Sequence, residues 1–245
     1  MDVVVVETDA EFASFAADQV CNLVQEKPES VLGLATGGTP LGLYDELVKR
    51  YQAGLVDFSQ VRTFNLDEYV GLDGDHPQSY RQYMRQHLFD KVNLRPENTH
   101  LPRGTVTDLW AEAARYDALL EELGPIDLQI LGIGENAHIA FNEPGTPFSS
   151  RTHVVDLTES TIEANSRFFA SREQVPRQAI TMGIASILRA RHVILLAQGI
   201  KKAEAIRLSL EGDMTPQVPG SALQAHPSVL AVVDKPAASQ LVVVR

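Results

Sequence analysis

Residues 131–143, LGIGENAHIAFNE, carry the reading on which the fold turns. They close an apolar run (Ile126, Leu128, Ile130, Leu131) that reads as a buried strand, then pass through Gly132 and Gly134 and place Asn136, His138 and Glu143 within eight residues. A strand that stops at glycines and runs at once into a polar, titratable cluster is the ending expected of an α/β sheet, whose ligands sit beyond the carboxyl ends of the strands. The glycines alone are a weak signal. An imidazole and a carboxylate this close at a strand end are the kind of pair that moves protons near neutral pH.

Outward from this stretch, strand and helix patterns alternate along the chain. VVVV at 3–6 predicts a strand, 9–25 a helix capped by Thr8 or Asp9, and 30–35 a second strand that TGGTP (36–40) turns into a helix beginning at Pro40. A strand at 61–66 delivers Asp67 and Glu68 to its end. A Gly- and Asp-rich loop, a helix over 77–89, a long connection over 91–105 and a helix over 107–123 follow. Beyond the opening stretch come a short strand at 153–157, a helix at 158–169, a lead-in at 178–182 to a short helix near 183–189, and a buried strand at 192–197. Gly199 then turns the chain into the helix holding Lys202, and a last strand spans 228–233. Such alternation implies a mostly parallel sheet covered by helices on both faces. No repeat or linker interrupts it, so one domain over 1–245 is expected.

Composition bounds the function. The chain has 245 residues, 44% hydrophobic and 22% charged, as in an ordinary globular protein. A net charge of −11 argues against a nucleic-acid partner, which needs a basic stripe. No apolar run reaches the roughly 18 residues of a membrane span, and the first residues lack the basic flank of a signal peptide. The one cysteine, Cys21, is expected to pack in the core, and the compartment to be a reducing cytosol. No histidine has metal-ligand spacing, so no zinc site is expected.

Two further motifs join the opening one. TGGTP puts backbone N–H groups and the positive end of a helix dipole at a strand end, a seat for phosphate, although it lacks the spacing of a Walker loop. Asp67 and Glu68 close a neighbouring strand, so all three turns are expected on one rim. Lys202 falls in the first helical turn after Gly199, where a lysine opposes the dipole unless an anion offsets it.

Read together, TGGTP, FNLDEYVGL, GIGENAHIAFNEPGTPF, ANSRFF and GIKKA, in this order and at these separations, closely resemble the glucosamine-6-phosphate deaminases, over about Val31 to Asp234. The resemblance implies a three-layer αβα sandwich with a Rossmann-like sheet and conversion of glucosamine 6-phosphate and water to fructose 6-phosphate and ammonia. It implies Asp67 as the base that moves the C2 proton to C1. His138, oriented by Glu143 and helped by Asn136, would open the sugar ring. Thr36, Gly37, Gly38, Thr39, Arg167 and Lys202 would hold the phosphate. No metal or organic cofactor is implied. The partner is the small-molecule substrate, with no nucleic acid or membrane, in a cytoplasmic monomer or small homo-oligomer.

The chain departs from the family pattern in places. Asn136 stands where some members have Asp, and Ala137 stands where Gly is usual, so a positive φ there would strain the loop. His153 and Val155 occupy the region where allosteric members carry basic residues, which points to the shorter, unregulated branch. Two other readings share the fold: a 6-phosphogluconolactonase, which has no use for the Asp67 carboxylate in C2 proton transfer, and a sugar-phosphate sensor domain, against which the proton-transfer residues count.

Overall fold

The computed structural model describes residues 1–166 and 169–242. In chain order the elements are β1 (Asp2–Val6), α1 (Asp9–Glu26), β2 (Val31–Leu34), α2 (Leu41–Gln52), β3 (Arg62–Asn65), β4 (Asp67–Tyr69), α3 (Tyr80–His87), β5 (Thr99–His100) and α4 (Leu109–Leu123). They continue with β6 (Leu128–Gly132), β7 (His153–Asp156), α5 (Glu159–Ser166), β8 (Gln178–Thr181), α6 (Ile184–Ile187), β9 (His192–Ala197), α7 (Ala203–Glu211), β10 (Val229–Asp234) and α8 (Lys235–Ala238).

Seven strands form the main sheet in the order β1-β10-β9-β6-β2-β3-β5, and every pairing in it is parallel. Parallel strands buried on both faces read as continuous apolar runs, and Val193 to Ala197 and Val31 to Leu34 are buried without interruption. α1 is a representative flanking helix. Thr8 caps it by accepting from the Glu11 N–H, its apolar stripe of Phe12, Ala16, Val20 and Val24 is buried, and Cys21 packs in the same core. Burial of one such large side chain contributes about 1.5–3 kcal/mol.

The elements fall close to the sequence expectation, with informative differences. Pro40 is the residue before α2, with helical φ and ψ, and the helix proper starts at Leu41. The long connection contains the two-residue strand β5 beside β3. Asp67 and Glu68 do not sit in a loop. They belong to β4, which pairs antiparallel with β8, and β8 pairs antiparallel with β7, making a second, three-stranded sheet. β4, with three residues, is too short for alternation to show, and its partner β8 lies roughly 110 residues further along the chain.

In the main sheet the order runs outward from β2 through β3 to β5 on one side, and from β6 through β9 to β10 on the other. The reversal falls between β2 and β6, and a crevice opens beyond the carboxyl ends of strands at such a switch point. TGGTP leaves β2 at that place and GIGENAH leaves β6.

Candidate active site

A cavity of about 900 Å³ occupies the crevice. Its lining includes Thr36, Gly37, Gly38 and Thr39 after β2, Asp67 after β3, Asn136 and His138 after β6, and Lys202 after β9. The three motifs read from the sequence thus share one rim. Ala35, Tyr80, Phe141, Thr161, Glu163, Asn165, Gln198 and Lys201 also line it; sequence reasoning singled out none of them, because each is ordinary in its local pattern. Arg167 lies outside the described residues.

Asp67 is only 6% exposed. Burial first, and the neighbouring Glu68 charge second, push its carboxyl up to about 8. The two adjacent acids have different tasks. Glu68 is also raised by burial, but its carboxylate accepts the backbone N–H groups of Tyr80, Arg81 and Tyr69, each at 2.9 Å. Tyr80 and Arg81 open α3, where N–H groups lack helical partners, so Glu68 fastens β4 to that helix. Aromatic rings close the surroundings: Tyr80 stacks on Phe141 with centroids 6.2 Å apart, and Tyr69 lies 4.7 Å from Tyr80. Asn165 Nδ2 donates to the Tyr69 hydroxyl at 2.9 Å.

The imidazole is held by the chain around it. A Cβ built on Gly134 would lie 2.3 Å from His138 Cε1, so the ring occupies the space that any side chain at position 134 would take. Gly134 N–H donates to the His138 carbonyl at 2.9 Å. His138 Nδ1 is 2.7 Å from Asn136 Oδ1, Asn136 Nδ2 donates to Glu143 Oε2 at 2.7 Å, and Thr161 Oγ1 donates to Glu143 Oε1 at 2.7 Å. With Asn136 oriented this way its oxygen accepts from Nδ1–H, which leaves the lone pair of a neutral ring on Nε2. Glu143 Oε2 is 3.7 Å from Nδ1, too far for a hydrogen bond, so the carboxylate reaches the imidazole through Asn136 and by charge. Burial alone would raise Glu143; the imidazole, the Thr161 hydroxyl and the Asn136 amide outweigh it and hold the group at about 2.

Ala137 has φ +66°, the left-handed geometry raised by the sequence, and Ala140 has φ +52°. That conformation costs an alanine roughly 1–2 kcal/mol. Ala137 is buried and its carbonyl accepts the Gly220 N–H at 2.9 Å, contacts that hold the strained turn in place. Replacing Gly134→Ala is expected to displace the imidazole and lower turnover at least tenfold, as a steady-state assay beside an unchanged far-ultraviolet circular dichroism spectrum would show.

The opposite wall suits an anion. α2 begins without a side-chain cap, Gly37 takes φ +99°, and a Cβ on Gly37 or Gly38 would face open space. Tyr83, on α3, donates its hydroxyl to the Gly37 carbonyl at 2.6 Å and pins the turn. Gly199, at φ +90°, donates its N–H to both Asp234 oxygens at 3.0 and 2.9 Å, and the 3₁₀ turn of residues 200–202 that follows brings Lys201 and Lys202 to the cavity. Among the described residues, no group of three or more His, Cys, Asp and Glu is arranged to hold a metal ion, and no helix is long and apolar enough to cross a membrane.

A parallel sheet in three layers, with a buried carboxylate, an imidazole and a glycine turn at a helix start around its switch point, defines an α/β enzyme of Rossmann-like build. The family described as glucosamine-6-phosphate isomerases/6-phosphogluconolactonase matches residues 6–231, and the chain belongs to it. It is 56% identical to a glucosamine-6-phosphate deaminase of Rhodopirellula baltica over 95% of this chain and 91% of the relative. It is 54% identical to one of Clostridioides difficile over 92% and 91%. A solved structure described as a monomeric glucosamine-6-phosphate deaminase superposes with a TM-score of 0.96 at 46% identity, covering 98% of this chain and 100% of that one. A 6-phosphogluconolactonase from Trypanosoma cruzi, at 19% identity and a TM-score of 0.79, shares the fold alone.

Proposed function

We propose that this chain is a single-domain glucosamine-6-phosphate deaminase acting in amino sugar breakdown. The observation that carries the reading is one cavity lined by Asp67, His138 and the TGGT turn together; the named relatives support it. The phosphate sits at the start of α2 with Lys202, and Arg167 is proposed as a further cation. Binding energy from this distant group fixes C1 and C2 of the sugar against the reacting residues.

His138 Nε2 takes the proton of the anomeric hydroxyl and passes it to the ring oxygen, which opens the ring to the aldehyde. Glu143, through Asn136, steadies the imidazolium formed on the way. Asp67 then removes the C2 proton, made acidic by the adjacent carbonyl, and returns it to C1, while one proton of the C2 ammonium passes to the C1 oxygen, so that the aldehyde carbon becomes a hydroxymethyl group. The resulting C2 iminium takes up water and releases ammonia, leaving fructose 6-phosphate. A carboxyl with a proton affinity near neutrality is matched to such a two-way transfer, and the ammonium at C2 favours its ionised form once substrate binds. The solved monomeric relative supports one chain as the working unit.

Incubating the protein separately with glucosamine 6-phosphate and with 6-phosphogluconolactone decides the matter. Ammonia release from the first is expected; lactone hydrolysis without ammonia would overturn the reading. Lys202→Ala is expected to raise KM for the phosphorylated sugar at least tenfold while kcat changes little, and an unchanged KM would remove Lys202 from the phosphate seat.

A further inference from the structure

Asp67 and His138 reach the cavity on separate strand ends, yet proton transfer at adjacent carbons requires a fixed separation between them. The link runs through the end of β8, which does not line the cavity. Asp67 is the antiparallel partner of Thr181. Directly opposed residues of such a pair stand on the same face, with Cβ atoms about 4.5–5.5 Å apart. The Thr181 hydroxyl, fully buried, accepts the Phe141 N–H at 3.1 Å. One residue on, Asn142 Nδ2, also fully buried, donates to the Met182 carbonyl at 2.9 Å and to the Ile139 carbonyl at 3.0 Å. Met182 N–H in turn donates to the Leu66 carbonyl at 2.7 Å, directly before Asp67. The loop carrying His138 and Glu143 is therefore fastened, by one hydroxyl and one amide, to Thr181, the last residue of β8 and the one opposite Asp67, and to Met182 just after it, whose N–H is bonded to Leu66.

We infer that Thr181, seconded by Asn142, is a positioning residue that sets the spacing between the Asp67 carboxylate and the His138 imidazole. The inference rests on the deaminase reading, and it assigns to β8 a part in the chemical step that is separate from substrate capture. The phosphate seat hangs on β2, α2 and the turn after β9, none of which Thr181 contacts through its hydroxyl. Loss of that hydroxyl should thus act on kcat and spare KM.

The test compares Thr181→Val, which keeps the branched shape and the strand but removes the acceptor, with Thr181→Ser, which keeps the hydroxyl. Thr181→Val is expected to lower kcat for ammonia release at least tenfold with KM for glucosamine 6-phosphate within twofold of wild type. Thr181→Ser is expected to restore kcat to within about twofold. If the valine variant fails to fold, Thr181→Ala, which adds no bulk, is read in its place. A wild-type kcat in the variant lacking the hydroxyl would overturn the inference while leaving the deaminase reading intact, as would a serine variant that is no better than valine, or kcat and KM changing together. A wild-type protein that releases no ammonia would overturn both.

Discussion

Asp67→Asn is expected to lower ammonia release roughly 10²–10⁴-fold, the range general-base catalysis supplies, and at the same time to make the protein more resistant to heat at alkaline pH. The first effect follows because an amide cannot accept the C2 proton. The second follows from the burial that tunes the base. In the unfolded chain the carboxyl loses its proton near 3.8, whereas in the folded protein it holds on to about 8. Between those values the folded state binds the extra proton, so stability falls as pH rises, and the full penalty is present above the upper value. At about 1.4 kcal/mol per pH unit, the difference amounts to several kcal/mol, which for a chain of this size shifts melting by roughly 5 °C or more. Asparagine carries no such dependence. The melting temperature of the variant minus that of wild type should therefore be larger at pH 9 than at pH 5; a difference that does not vary with pH would show that Asp67 is ionised in the folded protein at ordinary acidity. In the wild-type enzyme the same titration sets kcat/KM, which should climb as pH rises and level off above about 8, since this ratio reports the free enzyme.

Glu143→Gln has the second-largest expected effect, a fall in kcat of about 100-fold. The glutamine can place its carbonyl toward Asn136 Nδ2 and its amide toward the rotatable Thr161 hydroxyl, so the hydrogen-bonded frame survives while the charge facing the imidazole is lost. KM should hold within a few-fold, because Glu143 touches none of the anion seat. Acid stability gives an independent reading. The Glu143 carboxyl is depressed to about 2 from a usual value of 4.5, so its contribution is present above 4.5 and is lost as pH falls toward 2. Relative to wild type, the variant should be least stable at neutral pH and should close the gap below pH 3. Urea titrations at pH 3 and pH 7 would check this, and an equal gap at both would refute the linkage.

Much of this arrangement was readable in the residues themselves. The alternation of apolar runs with helical stripes gave the layers, and each stretch that mixes glycine with titratable groups after an apolar run turned out to end a strand at the same rim. What escaped were features made by partners far apart in the chain. β4 is three residues long and begins with two acids, so nothing in its own pattern marks a strand; its existence depends on β8. The separate duties of Asp67 and Glu68 depend on α3, whose first N–H groups lie twelve and thirteen residues further on. Tyr80 and Asn165 sit on short helices where a polar residue facing a cavity looks like one facing water. For Ala137, the positive φ was anticipated as a condition and is observed; the equal demand on Ala140 had no counterpart in the sequence, because alanine is acceptable almost anywhere.

The place of the first strand carries a consequence for how the protein comes into being. β1 lies at the sheet edge and has a single neighbour, β10, with Asp2 beside Leu230 and Val6 beside Asp234. A nascent chain leaving the ribosome therefore presents a valine-rich segment that finds no docking place until more than two hundred further residues have been synthesised. Chaperones that shield exposed β-forming segments have most to do during that interval, and a stalled or shortened translation product would display this ribbon as a nucleus for aggregation.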